Sequence, residues 1–259
     1  MARVTTTRKD ARIAGLFYML MVLTGPFVVI YVPGKLFVPG DAAETAANIL
    51  AHQSLFQAFI VVGLFSELFF IATALALYRL LRNVWREAAL LMVILVLLEA
   101  PLAFSGVADQ IATLSLVRSP DLLSAFDPAQ RDVLATLMIS IEGRGSPVSE
   151  LFWGLWLLPL ALLVYRSAFL PRFLGVWLFL NGLVYVIISF TGILLPEHAE
   201  TVSTVTLPVL MGEVVFALWL LVIGAGKGPG IAEDPDGRNG RWRPEGARSG
   251  SAVLESGGS

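Results

Sequence analysis

The chain contains no cysteine, which excludes disulfide bonds, thiolate-held iron–sulfur clusters and thiol catalysis. It has only two histidines, His52 and His198, and both lie outside the long apolar blocks. We therefore expect no metal site and no cofactor. Charged residues make up 15% of the chain, whereas soluble domains average roughly 25%. The net charge of −2 gives no reason to expect nucleic acid as a partner.

Long apolar blocks dominate the 259 residues, of which 56% are hydrophobic, and the mean hydropathy is +0.77. A helix that crosses the hydrocarbon of a bilayer needs about 20 such residues. Six blocks have this length, at about residues 13–32, 55–77, 88–107, 149–165, 173–195 and 204–223. We predict an all-α membrane protein, a six-transmembrane-helix bundle over residues 13–224 that contacts membrane lipid. Whether it forms a homo-oligomer stays open.

Lysine and arginine are abundant at one end of the predicted bundle and scarce at the other. One end carries Arg3, Arg8, Lys9, Arg12, Arg79, Arg82, Arg86, Arg166, Arg172 and Lys227. At the other end the first connection has only Lys35 and the last has no basic residue. Because basic residues near membrane spans favour the cytoplasmic side, both termini should be cytoplasmic. Residues 1–12 then form a cytoplasmic N-terminal segment.

Short helices are predicted on the outer connections. Asp41 and Glu44 match a helix-capping box, and Asp127 followed by Pro128 is typical of a second helix start. We expect both helices to lie on the outer surface. From residue 225 the chain becomes rich in glycine, proline, serine and charge. Such a segment buries too little apolar surface to fold, so residues 225–259 are predicted to be a disordered cytoplasmic tail.

Three glutamates interrupt the apolar blocks. Glu67, Glu99 and Glu213 lie near the middle of the second, third and sixth spans. A charged side chain at the centre of a bilayer costs roughly 2.5–3.5 kcal/mol on insertion scales. All three should therefore point into the bundle, where they would lie near one another. Because neighbouring carboxylates in a low dielectric cannot all ionise, we expect at least one to be protonated at pH 7.

Polar side chains are expected beside these glutamates. Ser66 precedes Glu67, Asn181 and Tyr185 share one face of the fifth span, and Tyr18 lies in the first. With the three glutamates they form the predicted ligand-binding set. No lysine, arginine or histidine occurs within the predicted spans. A proton, a cation or an amine-bearing small molecule would supply the missing positive charge.

Three classes of function fit these residues. The bundle could bind or transport a proton, a cation or an amphiphilic molecule at its glutamates. It could instead be an intramembrane acid–base enzyme, an isomerase or cyclase of a lipid-soluble isoprenoid, with Glu99 as proton donor and Glu67 or Glu213 as partner. It could also be a structural or regulatory protein, because neutral glutamic acids hydrogen-bond across helices for about 0.6 kcal/mol each. The sequence leaves open whether the chain is an enzyme.

Four segments of the chain resemble a known family. They are ARIAGLFYMLMVLTGPF at 11–27, VPGDAAETAANI at 38–49, YRSAFLPRFLGVW at 165–177 and LPVLMGEVVFALWLLVIG at 207–224. They are similar to a bacterial integral membrane family, domain of unknown function 4386. The resemblance implies a multi-pass protein of the bacterial inner membrane. It implies no established activity and supplies no catalytic residues.

Overall fold

The computed structural model describes residues 2–38, 40–118, 127, 130 and 147–225. Within these ranges every regular element is helical. The α-helices are α1 (Ala2–Pro26), α2 (Val32–Leu36), α3 (Ala42–Ala51), α4 (Gln53–Leu81), α5 (Arg86–Arg118), α6 (Pro147–Arg166), α7 (Arg172–Leu194) and α8 (Ala199–Leu218). A π-helical turn at Phe27–Tyr31 joins α1 to α2, and another at Trp219–Ile223 extends α8. The 3₁₀ turn Pro196–His198 leads into α8.

Six continuous helical stretches in the described ranges are long and apolar enough to cross a bilayer. They are Arg8–Leu36, Gln53–Leu81, Arg86–Arg118, Pro147–Arg166, Arg172–Leu194 and Pro196–Ile223. At about 1.5 Å per residue, even the 20-residue stretch reaches the roughly 30 Å thickness of the hydrocarbon. The prediction of an all-α, six-transmembrane-helix bundle is confirmed.

Two element boundaries differ from the sequence prediction. The third span was expected to end near residue 107, but α5 continues to Arg118. Polar residues such as Asp109 and Gln110 lower the local hydropathy without interrupting backbone hydrogen bonding, so apolar character alone places the end too early. At the N-terminus α1 begins at Ala2, so most of the segment predicted to precede the first span is helical and continuous with it.

The predicted outer helix caps are present. The backbone N–H of Glu44 donates to Oδ1 of Asp41 at 2.9 Å, where α3 begins. The backbone N–H of Gln130 donates to Oδ1 of Asp127 at 2.8 Å, and Oε1 of Gln130 accepts from the N–H of Asp127 at 3.1 Å. This reciprocal pair is a capping box. The rest of the helix predicted after Asp127, and the tail from residue 226, lie outside the described residues.

The six long helices pack in a closed ring that follows chain order. Helix α1 contacts α4, α4 contacts α5, α5 contacts α6, α6 contacts α7, α7 contacts α8, and α8 returns to α1. Fully buried aromatic side chains fill the ring, with Trp156 of α6 against Tyr18 of α1 at 5.8 Å and Phe70 of α4 at 4.9 Å between ring centroids. A smaller apolar cluster joins α2, α3, α4 and α5. It consists of Val32, Leu36, Ile49, Phe56, Phe59, Ile60 and Leu114. The main buried cluster contains residues from all six long helices, which therefore share one interior.

Helices α6 and α7 approach each other across two glycines. A Cβ atom added to Gly154 would lie 2.6 Å from the carbonyl oxygen of Gly182, and one added to Gly182 would lie 2.9 Å from that of Gly154. Backbones this close tolerate no side chain, which is the usual role of small residues between membrane helices. The contact fixes the position of α6, and therefore of the polar residues it carries.

Gly154→Ala should lower the stability of the bundle, because the added methyl group must push two backbones apart. We expect a loss of about 1–3 kcal/mol, measured as a fall in the unfolding temperature in detergent. Gly63→Ala is the matched control, since a Cβ at Gly63 would have no other atom within 4 Å. That change should be neutral or stabilising by up to about 1 kcal/mol through helix propensity. Equal effects of the two substitutions would contradict the close contact.

Candidate functional site

Two of the three midplane glutamates face each other. Glu67 on α4 and Glu99 on α5 are 7% and 1% exposed, and their side chains lie close enough to interact. Adjacent antiparallel helices bring the two middles to the same depth, which explains why residues 32 positions apart meet. In the part of the chain that the structure describes, Oε1 of Glu67 and Oε2 of Glu99 are buried and have no hydrogen-bond partner. The glutamate pair therefore holds acceptor capacity that the protein itself does not use.

Helix α6 completes the surroundings of Glu99. The side chains of Ser149 and Trp153, one helical turn apart, approach its carboxyl group. The ring of Trp153 also packs edge-on against Tyr185 of α7 at 5.9 Å between centroids. Neither Ser149 nor Trp153 is among the site residues predicted from the sequence. The i, i+4 spacing of a serine and a tryptophan on an inward face was the available signal.

The third glutamate has tyrosine partners. Glu213 on α8 is 8% exposed, and its Oε2 accepts a hydrogen bond of 2.7 Å from the hydroxyl of Tyr18, which is fully buried on α1. The phenol of Tyr185 on α7 also interacts with Glu213. The interactions that the structure gives Glu213 are thus with two tyrosines, whereas Glu67 and Glu99 interact with each other. The structure thus records a Glu67–Glu99 pair and a tyrosine-bound Glu213. That all three carboxyl groups form one cluster stays a prediction.

Asn181 and Trp177 hold the segment of α8 that carries Glu213. The indole N–H of Trp177 donates to the carbonyl oxygen of Val209 at 2.9 Å. In the amide orientation that satisfies both of its polar atoms, Asn181 donates to the same carbonyl and accepts from the backbone N–H of Glu213 at 3.2 Å. Asn181 is fully buried, and Gly212 makes room for the indole ring. Asn181 therefore positions Glu213 through the backbone rather than through its carboxyl group.

Ser66 takes part in a separate contact. Its hydroxyl oxygen accepts a hydrogen bond of 2.9 Å from Thr24, which ties α4 to α1. Of the seven residues predicted as ligand-binding, the structure joins Glu67 to Glu99, and Tyr18, Asn181 and Tyr185 to Glu213, while the contact recorded for Ser66 is with Thr24. Whether any of these residues binds a ligand stays a prediction.

The buried glutamates have no basic partner among the described residues. The one ion pair found there is between His198 and Glu197, whose side chains are 64% and 62% exposed. Nor does that part of the chain bring together three histidine, aspartate or glutamate side chains that could hold a metal ion. Two facing carboxylates without a cation repel each other strongly in a low dielectric, so a proton or a small cation must accompany the pair.

One face of α5 carries polar residues from Glu99 toward the C-terminal end of the helix at Arg118. Gln110 and Thr113 follow Glu99 by 11 and 14 residues, which places the three within a sector of about 60° on one helix face. Oε1 of Gln110 and Oγ1 of Thr113 are buried and, within the described ranges, unpaired. Between them and Glu99, a Cβ at Gly106 would have no other atom within 4 Å. Sequence reasoning missed this face because it placed residues 108–148 outside the span.

Six membrane-length helices in a ring, with carboxyl groups in the interior, define a multi-pass α-helical membrane protein. Residues 13–224 match the model of a family described as a domain of unknown function, DUF4386. The chain belongs to this family, so the resemblance seen in the sequence is confirmed. Bacterial origin stays a prediction.

One relative and the solved structures give further comparison. The chain is 30% identical over 168 residues to an uncharacterized protein of Archaeoglobus fulgidus, a match that covers 63% of this chain and 83% of the relative. No solved structure matches the chain. The relative is itself uncharacterized, so its similarity indicates no activity for this protein.

Tyr18→Phe should destabilise the bundle, because it leaves Oε2 of Glu213 buried without its donor. We expect a loss of about 1–3 kcal/mol, measured as a fall in the unfolding temperature in detergent. Tyr31→Phe is the matched control, because Tyr31 follows α1 and is 53% exposed. It should change stability by less than about 0.5 kcal/mol. An unchanged unfolding temperature for Tyr18→Phe would show that the hydrogen bond contributes nothing.

Proposed function

We propose that the protein binds a proton or a monovalent cation, inorganic or organic, at the Glu67–Glu99 pair and carries it across the membrane. The observation that carries the proposal is the facing of two buried carboxyl groups from adjacent helices, with unused acceptor atoms and no basic partner in the described ranges. Ionisable groups inside membrane proteins commonly mark ion and proton pathways. A positively charged ligand relieves the repulsion and fills the vacant acceptor positions.

The donor set suits a single positive charge. Two carboxyl groups, a serine hydroxyl and an indole surround the position, with Ser149 and Trp153 beside Glu99. Zinc sites use three or four protein ligands of nitrogen, sulfur or oxygen, and this pair supplies two. A proton shared by the pair, or an ammonium group seated on it, therefore fits better than a divalent metal.

The polar face of α5 supports a route to the pair. Gln110 and Thr113 lie about 17 and 21 Å along the helix axis from Glu99. Their unpaired oxygens offer acceptors to water or to a passing cation, and the open space at Gly106 lies between them and the pair. If both termini are cytoplasmic, as the distribution of lysine and arginine predicts, this route opens toward the opposite, outer side in a cytoplasmic membrane.

A second function is favoured by the surroundings of Glu213. The rings of Trp156 and Phe216 both lie 5.8 Å from that of Tyr18, the phenol that hydrogen-bonds Glu213. A carboxyl group that can donate a proton, with aromatic rings packed on its phenol partner, is suited to stabilising a developing carbocation. This arrangement supports an intramembrane isomerase or cyclase of an isoprenoid, with Glu213 as the acid in place of Glu99. A lipid that co-purifies with the protein and changes in mass on incubation would favour the enzyme over the transporter.

Replacing both members of the pair should abolish transport. The purified protein would be reconstituted into liposomes, and influx of protons, of Na⁺ and of the organic cation ethidium would each be followed by fluorescence. We expect one of these to exceed the flux of empty liposomes, and Glu67→Gln with Glu99→Gln to lower it at least about tenfold, which corresponds to about 1.4 kcal/mol. Glutamine keeps the size and hydrogen bonding of glutamate but cannot exchange a proton.

Glu200→Gln is the matched control, since Glu200 is exposed at the start of α8. It should leave the flux unchanged. Absence of flux for all three probes in the unmodified protein, or equal flux in the double variant, would overturn the proposal. If the double variant is also as stable as the unmodified protein at every pH from 5 to 9, the carboxyl groups serve only to join helices.

A further inference from the structure

A groove that none of the three buried glutamates lines opens on the side of the bundle. It has a volume of about 600 Å³ and lies between α5, α6 and α7. Its walls are almost wholly apolar and include Leu91, Leu162 and Val176, each at least 36% exposed. It reaches from Tyr165 back to Leu158, about 10 Å or two helical turns along α6. The groove therefore runs lengthwise along the bundle, as an acyl chain would.

Two arginines stand at one end of this groove. The guanidinium carbon of Arg166 lies 4.6 Å from the ring centroid of Trp85, and that of Arg172 lies 5.8 Å from that of Tyr165. Both aromatic residues line the groove. Cation–π contacts of this kind fix the guanidinium groups beside the groove mouth while their exposed N–H donors stay free to bind. Apolar walls and a cationic mouth thus belong to one surface.

We propose that this groove is a binding site for an anionic phospholipid, with an acyl chain along α6 and the phosphate on Arg166 and Arg172. Of the twelve lining residues, Glu87 alone carries a charge, so two guanidinium groups outweigh one carboxylate at the mouth. Guanidinium groups bind phosphate oxygens through paired hydrogen bonds, which a zwitterionic lipid offers less favourably because its own cation competes. The mouth lies at the end of the bundle rich in lysine and arginine, where an anionic leaflet would meet it.

The expected selectivity can be measured by native mass spectrometry. The full-length protein in detergent would be titrated with phosphatidylglycerol and, separately, with phosphatidylcholine. We expect phosphatidylglycerol to bind at least about tenfold more tightly. Arg166→Gln with Arg172→Gln should remove this preference. Equal binding of the two lipids by the unmodified protein would overturn the proposal.

Two further variants separate the groove from general surface charge. Arg12→Gln with Arg79→Gln removes two exposed arginines from α1 and α4, neither of which lines the groove, and should leave the preference intact. Val176→Trp keeps both arginines but fills the groove, and should weaken phosphatidylglycerol binding severalfold. The proposal fails if the Arg12/Arg79 variant loses the preference as fully as the Arg166/Arg172 variant. It also fails if Val176→Trp binds as well as the unmodified protein. Gel filtration of each variant confirms that binding is compared between folded proteins.

Discussion

The facing of two carboxyl groups in an apolar interior is the constraint on which the interpretation of this structure depends. Glu67 and Glu99 are buried where the dielectric is low and no basic side chain of the described residues reaches them. Two full negative charges cannot coexist there, since their repulsion is screened far less than in water. The least costly state of the pair therefore has at least one carboxyl group protonated.

The rest of the ring keeps this unfavourable arrangement in place. Gly154 and Gly182 bring α6 against α7, and Trp156 fills the interior between α1 and α4. Asn181 and Trp177 then fix the α8 backbone that carries Glu213. Glycine, asparagine and tryptophan stabilise these contacts only because a neighbouring helix is close. The same residues facing lipid would contribute little. Dispersion forces and interhelical hydrogen bonds, rather than a hydrophobic drive, hold such helices together in lipid.

The architecture followed from the sequence because a bilayer imposes a length and a composition on each crossing. All six spans, the helix cap at Asp41 and the inward burial of the glutamates could be read from the pattern of apolar and polar residues. The end of α5 could not, because Asp109 and Gln110 lower hydropathy within a helix that nevertheless continues.

The pairing of the glutamates was only partly predictable. Depth along the membrane placed Glu67, Glu99 and Glu213 on one level, but depth does not say which helices are neighbours. The order of helices around the ring says which are neighbours. Helices α4 and α5 are adjacent, whereas α8 lies between α7 and α1. Tyr18 and Tyr185, from those two neighbours, are consequently the side chains that interact with the carboxyl group of Glu213.

Helix α6 stands between the two acidic positions. Its Trp153 approaches Glu99 on one side and packs against Tyr185, the partner of Glu213, on the other. A movement of this indole would change the surroundings of both Glu99 and Tyr185. If binding at Glu99 moved the indole, its energetic effect on Glu213 would be reciprocal, with the same coupling free energy in both directions. One tryptophan side chain thus connects the surroundings of Glu99 with those of Glu213.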